Sequence, residues 1–316
     1  MNNNRGSLWH KWDLHVHTPD SIFHRYQCPA NENVWDKFIT DLENLPVEFK
    51  AVGINDYLFI DGYEKVLAEK ENGKLSNIEM LFPVIEFRLK KFSGNEKFKR
   101  INFHVIFSNE LKPNIIRNQF LNSLSGKYKL TPLALQADHD WSVIVTKESL
   151  EELGKKIKAN VPENRRDEFN ESDLELGFNN INFDEEEIIK ILDSNSYFKG
   201  KYLTAIGKAE WDQFEWNDNS ISEKKDIINK VNFVFTAANS ISSYSKGKTK
   251  LQNSEVNSLL LDCSDAHSFS TSADKDRLGN CFTWIKADLT FEGLKQVIYE
   301  SDRLCIDTVP KILRRV

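Results

Sequence analysis

Cysteine is scarce in this chain: four residues in 316, Cys28, Cys263, Cys281 and Cys305, with no CxxC spacing among them. That excludes a thiolate zinc site and a disulfide scaffold, and leaves buried, reduced thiols. No apolar run approaches the roughly 20 residues that span a bilayer, so no membrane is expected. The polar opening Met1-Asn2-Asn3-Asn4-Arg5 is not a signal peptide, and the cytoplasm is the expected location. No GxxxxGK(S/T) string occurs, which excludes a P-loop ATPase within the chain, and no repeat period is visible. Basic charge is also short: 42 Lys and Arg against 48 Asp and Glu leave a net charge of −6. A surface that grips nucleic acid all over is thereby excluded, and only a local basic patch could do so.

What is present suits one soluble globular domain over residues 1–316. The sequence is 40% hydrophobic and 28% charged, and its 21 Phe and 7 Trp supply bulk for a core. Apolar runs recur at 12–18, 51–56, 80–86, 101–107, 202–210, 232–238, 258–265 and 281–286, several of them ending in a polar or ionisable residue. Helical patterns fall between them at 33–45, 184–192, 222–231 and 290–300, with Asp184 and Thr290 as N-caps. This alternation predicts an α/β barrel whose chemistry sits at the carboxyl ends of the strands. Residues 80–107 depart from the repeat and read as a hairpin turning at Ser93-Gly94-Asn95, which sets Glu86 and His104 on adjacent antiparallel strands. Residues 147–182, rich in Glu, Lys and Asn, read as a helical insertion or lid. Residues 240–257 have loop composition and read as a mobile flap.

Histidine is scarce as well, at seven residues, yet three of them fall in two short strings at opposite ends of the chain. These are Asp13-Leu14-His15-Val16-His17-Thr18-Pro19 and Ser264-Asp265-Ala266-His267-Ser268. On a strand, side chains at i and i+2 share a face, so His15 with His17, and Asp265 with His267, can each grip one ion. Asp13 is expected on the same face, holding an imidazole from behind. His139, in Asp138-His139-Asp140, reads as a surface residue, and His10 as part of a frayed terminus without a role.

With these strings the chain resembles the PHP (polymerase and histidinol phosphatase) superfamily of metal-dependent phosphoesterases. It looks most like the amino-terminal PHP domain of TrlF-type proteins, which join such a domain to an SMC-like or AAA-like ATPase and include antiphage defence factors. The resemblance is also carried by Gly53-Ile54-Asn55-Asp56-Tyr57, Ile85-Glu86-Phe87-Arg88-Leu89, Gly207-Lys208-Ala209-Glu210-Trp211 and Phe282-Thr283-Trp284-Ile285-Lys286-Ala287-Asp288. It implies a distorted (β/α)7 barrel with a di- or trinuclear metal centre at the strand ends, and an ATPase domain or subunit as partner. The chain departs from the family pattern twice: Asp56-Tyr57 stands where many members have Asp-His, and Phe23 falls where a histidine is expected, with His24 one residue later. Each departure can cost the site a ligand, so two or three divalent ions are expected.

Histidine nitrogens mixed with carboxylate oxygens suit Zn2+, Mn2+ or iron better than Ca2+ or Mg2+. The expected metal ligands are His15, His17, Glu86, His104, Asp265 and His267, with Glu86 as bridge and His24, Asp56 and Glu210 as further candidates. Tyr57 is expected beside the ligands. The catalytic set is His15, His17, Asp265 and His267, with Lys208 as a phosphate clamp unless it merely pairs with Glu210. Arg88, Lys90, Lys91, Lys97, Lys99 and Arg100, interleaved with Phe87, Phe92 and Phe98, form either a nucleic-acid contact or an ordinary solvated hairpin. The leading expectation is a nuclease module controlled by an ATPase. A small-metabolite phosphatase and a non-catalytic docking module stand beside it, and a homo-oligomer is not excluded.

Overall fold

The computed structural model describes residues 8–93, 99–129, 140–207, 211 and 221–310. Among these, eleven strands occur: β1 (Trp9–Val16), β2 (Phe49–Tyr57), β3 (Met80–Ser93), β4 (Lys99–Phe107), β5 (Ser125–Lys129), β6 (Asp140–Ile144), β7 (Tyr202–Ile206), β8 (Phe233–Thr236), β9 (Leu260–Asp262), β10 (Thr283–Lys286) and β11 (Leu304–Ile306). The α-helices are α1 (Val34–Glu43), α2 (Asp61–Glu71), α3 (Pro113–Gln119), α4 (Lys147–Ala159), α5 (Asp173–Asn180), α6 (Glu185–Ser194), α7 (Ile221–Lys230), α8 (Ile241–Asn253) and α9 (Phe291–Tyr299).

Nine strands form one sheet in the order β11-β10-β1-β2-β3-β4-β7-β8-β9, while β5 and β6 pair separately. Neighbours β1-β2-β3 and β7-β8-β9 are parallel, and β4 is antiparallel to both β3 and β7. The segment after β9 returns to β1. Val16 bridges Ala266, the His17 amide donates to the Ala266 carbonyl at 3.0 Å, and the Ala266 amide donates to the His15 carbonyl at 3.1 Å. The sheet is therefore a nearly closed barrel in a mixed α/β fold.

Both faces of this sheet are buried, which is why its strands read as continuous apolar runs rather than alternating ones. Phe82, Val84, Ile106 and Phe235 pack in an inner cluster, and their neighbours Leu81, Ile85, Val105 and Val234 pack outward against the helices. Strand β1 changes phase along its length. Trp12 and Leu14 belong to the inner cluster, but Val16 belongs to the outer one. Its register with β2 slips in the same stretch, from Asp13 opposite Val52 to Val16 opposite Ile54, so one extra residue is accommodated. This bulge turns His15 and His17 inward. Gly53 lies against it, where a Cβ would come within 2.8 Å of the Leu14 carbonyl oxygen.

The expected N-caps are present: Asp184 accepts from the Glu186 amide and Thr290 from the Gly293 amide. Residues 240–257, read as a loop, instead hold α8. Its Ser240–Ser243 capping box and its buried Tyr244 and Leu251 outweigh the Ser- and Lys-rich composition. His10 is not frayed, since it lies in β1 opposite Ile285. Within 147–182, α4 and α5 pack together, and the Ser93-Gly94-Asn95 turn lies largely outside the described residues. Among the described residues no helix is long and apolar enough to cross a membrane.

Gly53→Ala should cost about 1–3 kcal/mol, because the clash is with Leu14 backbone, which cannot swing aside. Denaturant unfolding checks this, and an unchanged midpoint would mean that the bulge is not packed as described.

Candidate metal centre

Three strands and the segment after β9 bring the donors together. The bulge of β1 presents His15 and His17; the hairpin register sets Glu86 of β3 opposite His104 of β4; and Asp265 follows β9. Nε2 of His15 lies 3.1 Å from Nε2 of His17, 3.1 Å from Oε2 of Glu86 and 3.0 Å from Oδ1 of Asp265. Nε2 of His17 is 3.5 Å from the same Glu86 oxygen and 3.7 Å from the same Asp265 oxygen. Two overlapping groups, His15 with Glu86 and His104, and His15 with His17 and Asp265, could each hold a metal ion. Asp265 has a φ of 52°, a left-handed conformation that aspartate tolerates better than most residues. Its side chain is 41% exposed whereas Glu86 is at 1%, so the cluster opens to solvent on the Asp265 side.

The imidazoles are oriented from behind. Asn55 donates its amide to Oε2 of Glu86 at 3.0 Å, so its carbonyl oxygen accepts from Nδ1 of His104 at 3.3 Å. Ser21 Oγ lies 3.1 Å from Nδ1 of His17, and Nδ1 of His267 donates to the Asp265 carbonyl at 2.7 Å. In His17 and His104 Nδ1 is engaged and Nε2 is left for the site, the arrangement that orients metal-bound histidines. Nε2 of His104 and Oε1 of Glu86 are buried with no hydrogen-bond partner. With the proton on Nδ1 of His104, both atoms are electron-pair donors with nothing to donate to, which fits a divalent cation at the cluster.

The electrostatics follow from burial and crowding. Burial works against charge on His15, but Asp265 and Glu86 overcome it and raise its pKa to about 9. For His17 burial, reinforced by His267, lowers the pKa to about 3, and for His104 burial lowers it to about 4. Glu86 is buried, which favours the neutral acid, yet His104 and His15 reverse this and bring it down to about 2. Asp265 is held well below the usual carboxylate range by His15 and His17, against the desolvation of the site.

Other expected residues sit differently. His267 packs its ring 4.0 Å from that of His17, but its Nε2 accepts from the Tyr57 hydroxyl at 3.3 Å, so it borders the two groups without joining them. Tyr57 stacks on His17 at 4.6 Å, next to the ligands as expected. Asp13 does not hold an imidazole. The bulge separates it from the His15 face, and its Oδ1 accepts from the backbone amides of Ser264 at 3.0 Å and His15 at 3.4 Å. Asp56, a candidate ligand, has both oxygens on Thr18, at 2.8 Å from the amide and 2.7 Å from the hydroxyl, because it lies one residue out of phase with Asn55 and Tyr57. Burial raises its pKa to about 7. His24 is exposed, 6.0 Å from the Tyr26 ring and outside both groups. Lys208, Glu210, Lys97 and His139 lie outside the described residues, as does the side chain of Lys99.

The hairpin cations are occupied. Lys90 pairs with Asp184 and Lys91 with Glu185; Arg88 donates to Asn179 and stacks on Phe178; and Arg100 donates to the carbonyls of Asn180 and Ile181. They clamp the region from α5 to the start of α6 onto the barrel instead of facing solvent as a free basic strip. Asn55 and Ser21 had no assigned role from sequence. Asn55 stands in one of the strings carrying the resemblance and shares the strand phase of Tyr57, a signal that could have found it; Ser21 offered none.

The chain matches no protein-family model, and comparison with curated proteins gives no match.

At pH 7.5 the protonated group among the donors is His15, so metal binding should release about one proton. Apparent affinity should climb about tenfold per pH unit up to about pH 9 and level off above, since a raised imidazole pKa means protons compete with metal below it. Titration calorimetry in buffers of different ionisation heat checks the proton count. Asn55→Ala should weaken metal binding by roughly 10–100-fold through loss of the His104 and Glu86 alignment. Equal affinity in that variant would show that Asn55 is not an orienting residue.

Proposed function

We propose that the chain is a metal-dependent phosphoesterase of the PHP type, its nearly closed sheet being a distorted (β/α)7 barrel. The observation that carries this reading is the convergence of His15 and His17 with Asp265, from opposite ends of the chain, onto buried Glu86 and His104. His15, His17, Glu86, His104 and Asp265 would hold two divalent ions, Mn2+ or Zn2+, with iron a third choice. When bound, such ions supply Lewis acidity and charge neutralisation for hydrolysis of a phosphoester. The residues of the chain do the rest. Asn55, Ser21 and the Asp265 carbonyl fix the rings, the Tyr57 hydroxyl ties His267 against His17, and buried Phe235 beside His15 and His104 keeps water from the inner side. The open Asp265 side is where a phosphoester enters.

The substrate in this reading is a DNA or RNA strand, and the resemblance adds an ATPase partner and a role in antiphage defence. A phosphatase for small phosphorylated metabolites is the second reading, favoured by the ion-paired state of Lys90 and Lys91 and by the net acidity of the chain.

The test pairs elemental analysis with hydrolysis of a generic phosphodiester, a small phosphomonoester, and single- and double-stranded nucleic acids. His15→Ala and Asp265→Ala should each lower turnover beyond the roughly 10–100-fold typical of an outer-shell partner, with circular dichroism unchanged. Undiminished turnover in a folded, metal-verified variant would refute the assignment.

A further inference from the structure

A basic surface feature lies away from the hairpin. Between α7 and α8 runs a cavity of about 860 Å³ lined by Lys225 of α7 and by Ser242, Ser245, Lys246, Thr249 and Lys250 of α8. Helix α8 carries Lys246, Lys248 and Lys250 and not one acid over 241–253, in a chain with 48 acidic residues. Among the described residues lining the cavity the one acid is Glu255, beyond the far end of α8. Ser242, Lys246, Thr249 and Asn253 recur at helical spacing, so they present one face. Ser242, Ser245, Lys246 and Thr249 are exposed, and among the described residues neither Lys225 nor Lys246 has an ion-pair partner. This reverses the situation of Lys90 and Lys91, which are neutralised by acids at the start of α6.

The groove is also placed with respect to the site. Phe235 of β8 packs 5.9 Å from the His15 ring and 5.1 Å from the His104 ring, and α8 starts just beyond that strand. The Ser242 end of the groove is therefore the end nearer β8 along the chain, and the Asn253 end lies further along α8. Along α8 the face from Ser242 to Asn253 is about 16 Å long, the axial span of roughly five phosphates on one strand of a duplex. Ammonium groups interleaved with hydroxyls match phosphate oxygens. Among the described residues the lining includes no aromatic side chain on which a base could stack, so the contact they make is to the backbone rather than to sequence.

We infer that the α7–α8 groove is a binding track for the phosphate backbone of a nucleic-acid strand, leading it to the donor cluster. The track replaces the hairpin as the electrostatic contact, and it rests on the phosphoesterase reading for its purpose though not for its existence. The test measures binding of a fluorescent mixed-sequence oligonucleotide to metal-free protein across a salt series. Lys225→Ala and Lys246→Ala combined should flatten the log–log salt slope by about 1.4–1.8 units, at 0.7–0.9 per lost contact. The single Lys246→Ala, at an exposed position, should flatten it by about one such contact, which keeps the test valid if the double variant misfolds. Turnover of a generic small phosphodiester should not change, and Lys90→Ala with Lys91→Ala should leave nucleic-acid binding as it was. Unchanged binding in the groove variants, an equal loss in the hairpin variant, or displacement of the strand by polyglutamate as readily as by unlabelled nucleic acid would each overturn the track. Groove-dependent binding in a protein that hydrolyses nothing would uphold the track and sink the phosphoesterase reading.

Discussion

A single carboxylate oxygen, Oε2 of Glu86, meets the donors of three other strands: Asn55 of β2 at 3.0 Å, His15 of β1 at 3.1 Å and His104 of β4 at 3.7 Å. In a barrel interior otherwise filled by Trp12, Phe82, Val84 and Ile106, an isolated carboxylate would be driven to its neutral form. It stays ionised because the imidazoles and the amide surround it, and His15 becomes charged because that carboxylate and Asp265 are there. Each group's protonation is thus a property of the cluster. The upper end of the barrel can be polar only as a unit, and taking any one donor away leaves buried polar atoms with nothing to offset their desolvation.

That unit needs two features of the strands. One is the hairpin of β3 and β4, which sets Glu86 directly across from His104. The other is the bulge in β1, which lets Trp12 and Leu14 fill the barrel while His15 and His17, on the opposite parity, also face inward. A regular strand could do one or the other. The same irregularity dismisses Asp13 from the ligand face and makes it a clip on the Ser264 and His15 amides, so it still joins the two couplets, through backbone rather than through a ring.

Much of this was legible in the chain itself. All eight apolar runs contain a strand, the four helical patterns are helices, and Glu86 and His104 stand on adjacent antiparallel strands as the hairpin reading expects. What was not legible has physical causes. A period-2 reading cannot see a bulge, so Asp13 was placed on the wrong side. Asp56 is polar and near a strand end, but parity puts it outward on Thr18 while Asn55, less conspicuous as an ionisable residue, points inward. The hairpin cations look like a nucleic-acid strip until the acids Asp184 and Glu185, distant in sequence, are brought against them. Helix α8 was hidden by its own composition, since Ser and Lys signal a loop wherever the two buried residues that anchor it, Tyr244 and Leu251, go unnoticed.

The barrel closes through backbone bonds from His17 to Ala266 and from Ala266 to His15, the very residues between the ligands. Closure and the arrival of Asp265 at the other donors are consequently one event, and it joins parts of the chain far apart in sequence. On a ribosome, β1 would be made well before the segment around Ala266 and β10, and the edge they cover would stay bare until then. Contacts of such long range are reached late and slowly. A chain that stops short of Ala266 therefore has an open sheet, and without Asp265 it lacks the second of the two donor groups.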